Sequence, residues 1–301
     1  MAFKRKKGGK KGEKEMSFLE HLEELRWHLI RSIAAIAIMF VVAFFLKNFI
    51  FDSIIMAPRH PGFFTNRVLC DFGHYLNTLF NSPNKFDGLC INSKEFNLIS
   101  IQMSGQLTTH ITTALISGLI LAFPFIVNEF WKFFKPALHE NEKKYIRGAV
   151  LTTSGLFFLG VIFGYYMIVP FSIHFLSTYQ ISPDVVNQIN VRSYIGTLTS
   201  IVLASGLIFE LPIFAFFLTK IGVITPSFLK TYRRYAIVII FIVAAIITPP
   251  DVFSQTLVAI PMLGLYEVSI MVSKMVMRQK KKTHDDFMED REEVKTENAT
   301  L

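Results

Sequence analysis

From Leu107 to Val127 the chain contains no Asp, Glu, Lys or Arg, and from Gly148 to Pro170 it again contains none. About 20 apolar residues in a helix, at 1.5 Å each, span the ~30 Å hydrocarbon layer of a bilayer. Lipid offers the backbone no hydrogen-bond partners, so runs of this kind fold as helices. Comparable runs occur at Leu29–Leu46 and Ile195–Thr219, and a longer one extends from Tyr235 to Val276. The last is cut by "TPPD" at 248–251. Two consecutive prolines cannot continue a helix and mark a tight hairpin. It divides into a short span ending near Thr248 and a second from Val252 to Ser273. The pattern predicts an all-α integral membrane protein with six transmembrane helices.

The net charge of +8 would suit a nucleic-acid binder, but the charges are not dispersed. Only 18% of residues are charged, where a soluble chain carries about a quarter. The basic residues gather at the ends of the apolar runs, which is the pattern that orients spans in a membrane. They lie in the N-terminal tail, 131–147, 220–234 and 274–282, whereas the segment after the third span carries only Arg192 and "TPPD" carries none. An even number of spans puts both termini on one side, and the charge bias makes that side cytoplasmic.

Residues 1–16, "MAFKRKKGGKKGEKEM", lack the apolar core of a secretory signal and read as a disordered basic cytoplasmic tail beside anionic lipid. Residues 17–275 form the membrane domain, with an outer insertion at about 47–106. Residues 276–301 read as a charged cytoplasmic tail, its end disordered by composition. The fifth span has only about 14 apolar residues, roughly 21 Å. Either its hairpin lies below the outer surface or the bilayer thins there.

Three polar features stand out. The first is "SFLEHLEELRWHLIRS" at 17–32, where carboxylates gather just before the first span. Ser17 and Glu20 have capping-box spacing, and Phe18, Leu22, Leu25 and Leu29 recur at helical spacing. This predicts an amphipathic interfacial helix, on which Glu23 and Arg26 are spaced to pair. The second is "HENEKK", with Glu140 and Glu142 on the same side of the membrane. Each acid group has a plain reading as solvated charge. Together they could receive a cation, and guanidinium matches a carboxylate with its planar fork. The third is Glu210 inside the fourth span, about 22 Å from its outer end. An acid at that depth is costly and marks a functional site by default, or else an acid satisfied by a neighbouring helix. Pro212 should kink the helix there. Glu267, nearer the cytoplasmic end, reads as a paired or snorkelling residue.

No enzyme signature is present. The eight histidines have no metal-ligand spacing, and there is neither a phosphate loop nor a nucleophile elbow. No cofactor or metal is expected.

The stretches "FLEHLEELR" (18–26), "FPFIVNEFWKFFKPALHENEKK" (123–144), "FELPIF" (209–214) and "ITPPDVFSQTLVAIPM" (247–262) together closely resemble the TatC family, the multi-span receptor of the twin-arginine protein translocase. The resemblance covers about residues 17–275 and implies a cupped six-helix bundle in the bacterial inner membrane. It further implies that Glu24 and Glu142, with Arg26 and Phe133, bind the paired arginines of signal peptides on folded cargo. Glu210 would meet the signal peptide or single-span TatA/TatB-type subunits. Thr248 and Gln255 would dock those subunits' helices, although Ala245 departs from the family's usual larger residue. Pro58 and Asp251 match outer positions that shape the first loop and the hairpin. Transport would draw on the proton-motive force of an oligomeric complex.

Cys70 and Cys90 both fall in the outer insertion, on the oxidising side, where a disulfide would persist. They are a candidate staple of a lid over the outer face, against the alternative of two unpaired thiols. Two other functions stay open on the residues alone. One is a secondary transporter with Glu210 as proton carrier, against which the absence of an internal repeat counts. The other is the permease of an ATP-driven pump.

Overall fold

The computed structural model describes residues 18–80, 87–91, 96–134, 146–185, 187–248 and 252–299. The chain is helical almost throughout. Five described helical segments are long and apolar enough to cross a membrane: Leu22–Phe45, Gly105–Phe134, Gly148–Thr178, Val191–Ile221 and Gln255–Lys281. The sixth expected crossing is a helix of 15 residues, Arg233–Ile247. Large apolar side chains face outward along these segments, with Phe45 81%, Leu151 76% and Ile246 78% exposed. In lipid such side chains need no cover.

The first helix, α1 (Phe18–Phe45), corrects the expectation of a separate interfacial helix. It runs unbroken for 28 residues. Nothing between Phe18 and Phe45 stops a helix: no proline or glycine occurs there. At about 42 Å it exceeds the hydrocarbon thickness, so its first turns stand outside the membrane.

The described residues of the insertion after α1 include helical elements. It holds a π-helical turn at Phe49–Ile55 and the helix α2 (Phe64–Leu79). The core tethers it. Tyr165 and Tyr194 donate their hydroxyls to the carbonyls of Ile54 and Ile55, each at 2.7 Å. A short parallel pair, β1 (Leu98–Ile99) with β2 (Ile189–Asn190), joins the chain ahead of the next helix to the chain ahead of the fourth crossing.

Helix α3 (Gly105–Phe134) returns antiparallel along α1. The third crossing is α4 (Ile146–Phe163), a π-helical segment Gly164–Ile168, and α5 (Val169–Thr178). The fourth is α6 (Val191–Phe209) and α7 (Leu211–Ile221), broken at Glu210, which caps the end of one and the start of the other. The break expected at Pro212 therefore falls two residues earlier. Proline belongs in the first turn of a helix, where its missing N–H costs nothing. Gly222 ends α7 with φ +87°, a left-handed conformation that side-chain-bearing residues rarely adopt.

A short helix α8 (Pro226–Thr231) leads into α9 (Arg233–Ile247). The last helix, α10 (Val252–Ala299), continues through the segment whose composition reads as disorder. That segment contains no Gly or Pro and holds four Glu, a good helix former.

The core lies where α1, α3, α6, α9 and α10 meet the π-helical segment and α5 of the third crossing. Its fully buried residues are small or branched, including Ala114, Ile168, Val169, Ile201, Ala244 and Ala259. Gly160 and Gly206 draw α4 and α6 together: a Cβ on Gly160 would stand 2.5 Å from the Ser205 carbonyl oxygen, and one on Gly206 2.7 Å from the Phe157 ring. Small residues bring membrane helices close in this way.

Candidate functional site

At the end of the bundle where α1 begins and α3 finishes, the two helices meet through charged side chains. Residues four apart share a helix face. Glu24 and His28 therefore line one face of α1, and Glu129 and Phe133 one face of α3. His28 Nδ1 lies 2.7 Å from a Glu129 carboxylate oxygen and donates to it. The other Glu129 oxygen accepts from Lys132 Nζ at 2.6 Å, and Arg31 stands 3.7 Å from the carboxylate. The His28 ring meets Phe133 edge-on with centroids 6.2 Å apart.

The antiparallel register is fixed further along by Phe44, whose ring stacks on His110 at 4.2 Å and whose carbonyl oxygen lies 3.1 Å from His110 Nε2. Glu24 is one turn before His28 on the same face of α1, and Phe133 is one turn beyond Glu129 on α3, so antiparallel packing puts the two on the same side of the contact. Glu24 is half-buried, and among the described residues it has no ion-pair partner. Arg26 is exposed and likewise without an ion-pair partner among them. The Glu23–Arg26 pair suggested by their spacing does not form. Glu142 lies outside the described residues, in the chain that leaves α3 just after Phe133.

Glu129, His28, Arg31 and Lys132 were not singled out from the sequence. The available signal was an acid at the end of an apolar run, in "FIVNEFW". Its principal partner is 101 residues away.

Glu210 sits at the α6–α7 break and is 4% exposed, and its Oε1 has no hydrogen-bond partner among the described residues. The hydroxyls of Thr153, Ser154 and Ser205, on α4 and α6, are buried and equally unpartnered among them. Glu267, by contrast, pairs with Arg233 at 2.6 Å.

Towards the opposite end, Thr248 caps α9 by donating its hydroxyl to the Ala244 carbonyl at 2.8 Å. It lies at the edge of a shallow depression of about 410 Å³ lined also by Arg192, Ser193, Thr197 and Ser200. The Gln255 amide donates to the Phe241 carbonyl at 3.1 Å, tying α10 to α9. Both polar groups thus have partners within the chain. Ala245 is exposed. Asp251 lies outside the described residues. Pro58 is fully buried in a short 3-10 turn (Ala57–Arg59), and its carbonyl accepts from the Asn66 amide at 3.2 Å.

Cys70, on α2, and Cys90 form a disulfide. With His74 they are a group among the described residues whose donor atoms converge as metal ligands do, within 4.8 Å. In the disulfide form the two sulfurs are spent on each other.

A family model described as Sec-independent protein translocase protein (TatC) matches residues 20–261. The chain is 42% identical over 271 residues to the Sec-independent protein translocase protein TatC of Blattabacterium, an alignment covering 90% of this chain and 100% of that one. It is 35% identical over 267 residues to the TatC of Aquifex aeolicus, covering 88% and 98%. Among solved structures it resembles a crystal structure of the twin arginine translocase receptor TatC in DDM. There the TM-score is 0.65 and the identity 33%, over 84% of this chain and 99% of that one.

Proposed function

The chain belongs to the TatC family of Sec-independent protein translocase proteins, and from that premise we propose that it is the translocase's receptor and core subunit, binding twin-arginine signal peptides of folded cargo. The observation that carries this reading is Glu24, a half-buried carboxylate left without an ion-pair partner among the described residues while Glu129 holds the nearby cations.

A guanidinium reaching Glu24 would meet a carboxylate suited to its two-pronged hydrogen bonding and an aromatic face at Phe133. The second arginine would go to Glu142, on the segment following Phe133. Exposed ion pairs are worth about 0–1 kcal/mol each, whereas partly buried, charge-assisted pairs contribute more. A lysine keeps the charge but loses the fork, which is how the site would distinguish Arg-Arg from Lys-Lys. Arg26, exposed on the same turn of α1 as Glu24, would orient the peptide through its backbone or acidic groups.

On this reading the chain spans the bacterial inner membrane six times with both termini cytoplasmic, α9 supplying the short fifth crossing. Glu210 offers a carboxyl oxygen without a hydrogen-bond partner among the described residues to the signal peptide or a single-span TatA/TatB-type subunit. Thr248 and Gln255 mark where such a subunit's helix would lie, and would exchange their internal hydrogen bonds for its polar groups. The subunit catalyses no reaction itself, and the proton-motive force drives the assembled complex.

Cells lacking their own copy test the reading directly. With this chain supplied, a folded reporter bearing an Arg-Arg signal should reach the far side of the membrane. With Glu24→Ala, the reporter should stay in the cytoplasm while the variant is present in the membrane at normal abundance. Normal export by that variant would refute the proposal.

A further inference from the structure

Glu24 has a natural partner that it does not use. His28 lies one turn along α1 on the same face, at the four-residue spacing at which an acid and a base pair on a helix. Its Nδ1 is instead 2.7 Å from Glu129 across the α1–α3 contact. Glu129 is well placed to win that competition. Its side chain is 12% exposed and that of His28 18%, so their bond is less weakened by solvent than one at the half-buried Glu24. The same carboxylate also gathers Lys132 and Arg31, the latter two turns along from Glu24 on α1.

We infer that Glu129 is a positioning residue for the proposed receptor site: it holds His28 away from Glu24 and so keeps Glu24 open for an incoming guanidinium. The inference rests on the reading that Glu24 receives a signal-peptide arginine. Glu129 does not touch the guest. It works by occupying a base that would otherwise close onto the recognition carboxylate. The Phe44–His110 contact holds α1 against α3 independently, so the pair serves the availability of the acid and not its placement.

Lys132 and Arg31, freed by loss of Glu129, matter less. Their side chains are 47% and 61% exposed, so water takes over their solvation. His28 is the more enclosed of the three and points into the helix contact. Removing Glu129 alone should therefore harm the site, and removing Glu129 together with His28 should repair it.

The experiment measures binding of a fluorescent Arg-Arg signal peptide to the full chain in nanodiscs. Glu129→Leu should weaken binding about two- to fivefold, the strength of one competing partly exposed pair. Glu129→Leu with His28→Leu should return to the wild-type value, and His28→Leu alone should bind no worse than wild type. If the double variant stays as weak as Glu129→Leu, or Glu129→Leu binds like wild type, the inference is overturned. Loss of binding in His28→Leu alone would also overturn it, because the pair would then be needed for architecture rather than to free Glu24. Glu24→Ala is measured alongside. If it binds like wild type, the receptor reading itself has failed, an outcome distinct from failure of the Glu129 role.

Discussion

Gly118 of α3 lies so close to Phe40 of α1 that a Cβ placed on it would stand 2.6 Å from the Phe40 backbone nitrogen. The neighbour is backbone and cannot turn aside, so Gly118→Ala must push the helices apart. It should cost about 1–3 kcal/mol, as overfilling a tight contact does. Gly155→Ala meets nothing within 4 Å and should be neutral or slightly stabilising, since alanine is the better helix former. Thermal unfolding in detergent compares the two. A Gly118→Ala protein as stable as Gly155→Ala would show that the α1–α3 contact is looser than described.

Thr219 and Ser273 join α7 to α10 through hydroxyls 2.8 Å apart, both fully buried. Thr219 spends its proton on the Ala215 carbonyl at 2.7 Å, so Ser273 is the donor between them. Thr219→Val keeps the shape and removes the acceptor. Interhelical hydrogen bonds in membranes are worth about 0.6 kcal/mol on average and up to about 1.7, so the loss should fall in that range. Ser273→Ala should cost a similar amount, and the double variant less than the two losses combined.

Glu210 should show a trade of stability for function. Its Oε1 is unpartnered among the described residues, and an unsatisfied buried polar group costs about 1–3 kcal/mol. Glu210→Leu is therefore expected to raise the unfolding temperature and to reduce export. Glu210→Gln should retain export, because an amide still offers a polar group to a guest helix. A secondary transporter with Glu210 as proton carrier requires the opposite, an inactive Gln variant.

The Cys70–Cys90 bridge closes a loop with a sequence separation of 20. Chain-entropy estimates put such a closure at about 3 kcal/mol. Alkylated protein should change mobility on reduction, and Cys70→Ser should lower stability by an amount of that order. Two alkylatable thiols in native protein would contradict the bridge.

The membrane spans were legible in the sequence because each is a local property, a run of apolar residues ended by charge or proline. Glu210 was legible for the same reason, as an acid where none is expected. What was hidden depends on register. His28 and Glu129 are unremarkable until α1 and α3 are laid side by side, and nothing in "LRWHLIR" or "FIVNEFW" states which turn faces which. The unbroken α1 was obscured by a change from amphipathic to apolar character, which alters what a helix touches without ending it. Helix in the last part of α10 was missed because composition measures the capacity to bury surface, and a solvated helix need bury none. The break at Glu210 was placed two residues late because proline stands inside the new helix and the turn precedes it.

The most direct measurement is the affinity of the chain in nanodiscs for two signal peptides that differ only as Arg-Arg or Lys-Lys. Wild type should prefer Arg-Arg, and Glu24→Ala or Glu142→Ala should erase that preference while the protein remains folded. Equal affinity for both peptides, unchanged by either substitution, would contradict the account and leave the charged start of α1 as no more than an anchor at the membrane surface.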